Sequence, residues 1–183
     1  MKYSAALMIP TLMVLLTATA SAEWQADSAD KHQLQAASAI AKIRSNIPRT
    51  ERYFDEAYAY AILPSVTRIG FGFGGATGKG IVVEGESAIG STRFWQFTSG
   101  IQAGAKNFSM IVFFKDKAAL DLFTSSDIQF MGQAGLAFAS AGIAGTPAYN
   151  DGVAIVTMTR FGLMGEFTIS GAKFSYKDFA AAQ

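Results

Sequence analysis

Apolar residues recur every three or four positions between residues 26 and 47. Leu34, Ala37, Ile40, Ile43 and Ile47 fall on one stripe, while Lys31, Gln35, Ser38, Lys42 and Ser45 fall on another. That is the period of an amphipathic helix. The stretch 26–46 holds neither Gly nor Pro and is rich in good helix formers, and Pro48 ends it. Thr50 can cap a second helix running to about residue 61. Glu51 and Asp55 sit in its early turns, where negative charge suits the helix dipole, and Pro64 is its stop. Its aromatic residues Tyr53, Phe54, Tyr58 and Tyr60 read as core side chains.

From Val66 the period changes to two. Ile69, Phe71 and Phe73 alternate with Gly70, Gly72 and Gly74, a strand with side chains on one face and bare backbone on the other. The bare face is expected to pack against another element, so that Gly72→Val would clash. Residues 74–80 read as a turn and 81–83 as the returning strand of a hairpin. Further strands are expected at 93–98, 101–105, 109–114, 128–138, 153–159 and 163–170. A short helix at 116–123 would be capped by Asp116, and a loop would cover 142–152. Two helices followed mostly by strands joined through short turns predict an α+β domain. Its helices would pack on a strongly curved, mostly antiparallel sheet that the in-strand glycines could close in a barrel-like manner.

The chain has 183 residues, enough for one domain plus a processing segment. Half are hydrophobic and only 16% charged, with 18 Gly and 15 Phe, a composition of compact β structure rather than of disorder. Lys2, an apolar run over residues 5–17 and the small-x-small sequence Ala20-Ser21-Ala22 form a secretory signal peptide, residues 1–22. The apolar run is too short to span a bilayer comfortably. The expected product is a periplasmic or secreted domain, residues 23–183, starting at Glu23 or Trp24. There is no Cys, so no disulfide, thiolate ligand, Cys nucleophile or Cys-linked lipid anchor is available.

Without Lys2 the chain is formally neutral, but its charge is uneven. From Lys31 to Lys79, the basic residues Lys31, Lys42, Arg44, Arg49, Arg52, Arg68 and Lys79 stand against Glu51, Asp55 and Glu56, whereas from Gly80 onward seven basic residues face eight acidic ones. Such an offset is either a solvated surface or a basic face for an anionic partner.

Several motifs tempt and fail. Gly70-Phe71-Gly72-Phe73-Gly74-Gly75 fits a dinucleotide fingerprint as text, but residues 76–83 read as a turn and a strand rather than the helix that would hold pyrophosphate. Gly78-Lys79 resembles part of a phosphate loop, yet Phe73 and Gly80 stand where that loop needs Gly and Ser or Thr. His32 is the single histidine, too little for a zinc site, and no Gly-x-Ser-x-Gly elbow accompanies it. Glu84 and Glu86 flank Gly85 in an expected turn and read as solvent-facing charges. No catalytic or metal-ligating residue and no cofactor is therefore nominated.

Residues 59–75, Ala-Tyr-Ala-Ile-Leu-Pro-Ser-Val-Thr-Arg-Ile-Gly-Phe-Gly-Phe-Gly-Gly, resemble the opening signature of the SYLF-domain family. Three later blocks come in the family's order: Gly100-Ile101-Gln102-Ala103-Gly104-Ala105, the apolar strand and Lys-Ala-Leu helix of 109–123, and Phe161-Gly162-Leu163-Met164-Gly165-Glu166 with Gly171. The resemblance covers residues 43–174. It departs where the family strand often begins with Lys and this chain has Arg68, and in lacking the lipobox Cys of many bacterial members. The resemblance implies binding of anionic phospholipid, with phosphoinositide-like headgroups as the model, and no turnover, no nucleic acid and a membrane-associated location. Arg68 matches a motif position. Lys79, Lys42, Arg44, Arg49 and Arg52 join it as candidate lipid-binding residues on charge clustering. The competing expectation from another class is an integral outer-membrane β-barrel, suggested by strand number, glycines and aromatic residues.

Overall fold

The computed structural model describes residues 24–125, 128–131, 139–140 and 149–180. The expected signal peptide lies outside them, as does most of the expected 142–152 loop.

Helix α1, Lys31–Asn46, starts later than the Gly- and Pro-free stretch 26–46 suggests. Asp27 accepts a hydrogen bond from the Ala29 amide at 2.8 Å, and Asp30 caps the helix by accepting from the His32 and Gln33 amides at 2.8 and 3.4 Å. These short acidic side chains hold the preceding backbone in a turn, which competes with an earlier helical start. A 3-10 turn, Pro48–Thr50, leads into α2, Glu51–Glu56. Thr50 does not cap α2; its hydroxyl donates back to the Ile47 carbonyl at 2.7 Å.

The expected extension of α2 to residue 61 is overturned by the sheet. The Tyr58 amide donates to the Phe114 carbonyl, and Ala59 to Ala61 pair with Phe114 to Val112. Tertiary pairing with a strand of Val and Phe outweighs the local helical preference of a short alanine-rich segment. Pro64 then falls inside a strand, at a register shift between Leu63 and Val66 where the ladder tolerates a missing amide.

The fold is α+β, but its sheet is simpler than the string of short strands expected. Strand β1, Ala59–Glu84, pairs antiparallel with β2, Ser87–Phe114, and β2 with β5, Val153–Asp178. The 74–80 segment is therefore strand rather than turn. Glu84-Gly85-Glu86-Ser87 forms the hairpin instead, with Gly85 at φ 57°, a conformation that favours glycine. Two short strands, β3 (Ile128–Met131) and β4 (Ala139–Ser140), add to β5, the first antiparallel and the second parallel. Between β2 and β3 in sequence, α3, Lys117–Ser125, begins with the Ala119 amide donating to Asp116 at 2.9 Å, the cap expected from sequence.

Among the described residues the sheet path runs β1-β2-β5-β3 and does not close into a barrel. Its curvature folds the long ribbon back upon itself instead. A Cβ on Gly78 would stand 2.7 Å from a Val66 methyl, and one on Gly80 would overlap the Ile62 carbonyl. The two ends of β1 thus cross in contact, and Gly78 and Gly80 make the crossing possible. Gly72, by contrast, has open space where a Cβ would be and serves the bend through its φ of 67°. The expected clash at Gly72 is corrected accordingly.

Two apolar clusters lie on either side of the ribbon. The inner one gathers Leu63, Val66, Val82, Phe94, Phe108 and Phe174 with Leu120 and Phe123 of α3. The outer one seats Ala36, Ile40 and Ile43 of α1 and Trp24 on Ile62, Ile81, Val83, Ile111 and Phe113. Helix α1 covers only the crossing. Beyond it the three long strands continue as a lobe, made of residues 67–77, 93–107 and 161–175.

Candidate lipid-contact surface

Strand alternation sends odd-numbered residues of β1 and β2 in the lobe to the outer face, the one α1 covers at the crossing. Past α1 this face is apolar and open to solvent. Phe71 is 86% exposed and Ile101 80%, and Ile69, Phe73, Phe97 and Phe161 are all more than 60% exposed. Phe73 and Phe97 stack across the hairpin at 6.5 Å between ring centres. The inner face of the same strands holds Arg68, Gln96 and Thr98, none more than 8% exposed, beside Phe94 and Ala76. Beyond Phe94 and Phe174, which join the inner cluster at its foot, the lobe is therefore reversed with respect to the usual rule, with Arg68, Gln96 and Thr98 inside and large apolar side chains outside.

Where the lobe meets α1 the outer face changes character. Lys79 pairs in register with Arg93, Arg93 with Ser175, and Ser91 with Lys177. These residues, with His32, Gln35 and Asp30 of the α1 start, line a cavity of about 620 Å³. Ser65, Ser91, Thr92, Ser175 and Tyr176 add hydroxyl groups to its wall. Burial, with the Asp178 carboxylate nearby, pushes the Tyr176 phenol up, so it stays protonated and donates to the Ile89 carbonyl at 3.1 Å. Asp30 is the one carboxylate lining the cavity among the described residues. Burial works against its ionisation, but the amide hydrogen bonds from His32 and Gln33 prevail and hold it below its ordinary value. On the other side of Gln35 and Pro64, a groove of about 290 Å³ is lined by Lys31, Lys42 and Arg160. Arg93 also sits over the Trp95 ring, 5.6 Å from its centre, at the border between the cationic and apolar zones.

The residues singled out from sequence divide between these places. Lys79 lines the larger cavity and Lys42 the smaller groove. Arg49 is exposed on the Pro48–Thr50 turn, and neither the cavity nor the groove includes it. Arg44 pairs with Glu51 at 3.5 Å and lies over the Phe54 ring, while Arg52 donates to the Tyr53 hydroxyl at 2.7 Å. Arg68 is buried on the inner face beside its cross-strand partner Lys106, away from Lys79. The structure thus joins Lys79 and Lys42 to Arg93, Arg160 and Lys177, which lie in the C-terminal part that looks charge-balanced in the sequence. One signal for them was readable. Between Glu56 and Asp116 the only carboxylates are Glu84 and Glu86, both at the hairpin turn, which leaves the body of β1 and β2 without negative charge.

Comparison with known proteins adds one relative. Beta cell expansion factor A of Aeromonas veronii is 27% identical over 138 residues, which is 74% of this chain and 52% of that protein. The chain spans about half the length of the curated relative it matches. No family model matches the sequence. No solved structure matches it.

Proposed function

We propose that this chain is an exported SYLF-type domain that binds anionic phospholipid headgroups, phosphoinositide-like ones among them, without turnover. The observation that carries the reading is the convergence of Lys79, Arg93 and Lys177 on one cavity at the foot of an apolar lobe. Three cations and several hydroxyl donors around a headgroup-sized space suit a phosphate ester, and Arg in particular can grip phosphate through two parallel hydrogen bonds. Lys31, Lys42 and Arg160 extend the positive field along α1. Each such residue close to an anionic bilayer contributes about 1 kcal/mol, and the attraction is screened by salt.

Export rests on the signal sequence. A product beginning at Glu23 keeps Trp24, whose side chain is buried in the α1 cluster. The test is vesicle flotation with phosphatidylglycerol-containing and purely phosphatidylcholine vesicles across a salt series, in the absence of detergent. Binding is expected to require the anionic lipid at low salt and to weaken as salt rises. Equal binding to both vesicle types, unaffected by salt, would overturn the headgroup reading. A chain that stays in solution only with detergent would favour the integral barrel instead.

A further inference from the structure

We infer that the lobe of the three long strands enters the hydrocarbon layer of the membrane, with the Lys79–Arg93–Lys177 cavity held at headgroup level. This rests on the phospholipid reading above and adds the depth and the element that reaches it. Two independent features lead here.

The first is the reversal of the lobe. A sheet in water buries its apolar face and exposes its polar one. Here Thr98 is fully buried and Phe71 almost fully exposed on the same ribbon. Apolar side chains outside and polar ones inside is the alternation of strands surrounded by lipid. The reversal is confined to the lobe: at the crossing, α1 and α3 cover apolar residues on both faces.

The second is the order of surfaces along that outer face. Moving from α1 outward, the strands present a belt of cations, then Trp95 under Arg93, then Phe97 with Phe73, then Phe71 and Ile101. Cations at phosphate depth, an indole at the interface and phenyl and aliphatic groups beyond it match the layering of half a bilayer. Charge fits the same occupant. At the foot of the lobe the outer face carries Lys79, Arg93, Lys173 and Lys177 within a few residues of one another along the paired strands. An anionic lipid surface complements that charge, whereas a second copy of the lobe would bring like charges together.

The chain's lack of cysteine makes the test direct, because any introduced Cys is unique. An environment-sensitive fluorophore is attached at Ile101→Cys in the lobe and, separately, at Asp121→Cys on the exposed side of α3. Vesicles of phosphatidylglycerol and phosphatidylcholine carry a nitroxide either on the headgroup or deep in the acyl chain. The lobe probe is expected to brighten on binding and to be quenched more strongly by the acyl-chain nitroxide, while the α3 probe stays unchanged. In parallel, Phe71→Ser with Phe97→Ser removes two phenyl groups that are mostly exposed in the free protein, Phe97 giving up only its stack on Phe73. It should leave the thermal transition in place and lower vesicle partitioning roughly a hundredfold, about tenfold per phenyl withdrawn from hydrocarbon. If the protein floats with anionic vesicles but the lobe probe is silent and the double variant binds normally, insertion is wrong and headgroup binding stands. If no vesicle recruits the protein, both readings fall. If the double variant turns a dimer into a monomer without lipid, and the lobe probe is silent with vesicles, the apolar surface joins two copies and insertion is overturned.

Discussion

Glycine carries two different duties along β1, and substitutions separate them. At Gly80 the nearest atoms to a new Cβ are backbone of Ile62, which cannot rotate away. Gly80→Ala should therefore cost at least ~1–3 kcal/mol through overpacking at the ribbon crossing, seen as a lowered thermal midpoint. Gly72→Ala meets no neighbour but must adopt φ 67°, so its cost should be about 1–2 kcal/mol of backbone strain alone. Finding Gly72→Ala the worse of the two would contradict the crossing. Asp30 gives a residue-scale dependence on pH. Burial opposes ionisation, but the His32 and Gln33 amide hydrogen bonds hold its carboxyl below the ordinary carboxylate value, so the stabilisation from its cap is complete above that ordinary value and is lost as pH falls through the lowered one. Asp30→Ala should remove about 1 kcal/mol at neutral pH and flatten the acid limb of the stability curve, measured by denaturant titration at several pH values.

Helix α1 is the element on which the crossing depends. Ala36, Ala39, Ile40 and Ile43 form its buried stripe, and small alanines let the helix lie close to β1. Ile43→Ala should cost ~2–5 kcal/mol by leaving a cavity against the sheet, the ordinary penalty for a fully buried Ile. The helix was legible in the sequence because a stripe of period 3.6 requires only local geometry. The strands were legible in phase but not in length. Ile69, Phe71 and Phe73 were readable as a one-sided strand, since alternation is also local. Nothing local says that 74–80 continues straight through rather than turning, because Ala-Thr-Gly-Lys-Gly suits either. Pairing with 92–98 decides it, and that pairing lies some way along the chain.

At the scale of the whole molecule, function depends on which residues the bent ribbon brings together. Lys79→Gln with Arg93→Gln takes two cations from the larger cavity. It should weaken binding to anionic vesicles by roughly tenfold or more at low salt, with a smaller effect as salt rises. Flotation across a salt series measures it, and Arg44→Gln, whose guanidinium serves Glu51 and Phe54, is the comparison expected to change binding less. The amino-acid sequence by itself determined the helix periods, the alternation of the strands, the Asp116 cap and the scarcity of carboxylates, because each depends on neighbours within a few residues. Only the tertiary structure decided that the apolar face of residues 69–73 stays uncovered rather than becoming core. It also placed Arg68 inside, and drew Arg93, Arg160 and Lys177 from distant strands to stand beside Lys79 and Lys42. Alternation fixes that two faces differ; which face meets α1, which meets the folded-back ribbon and which meets solvent is set by long-range packing.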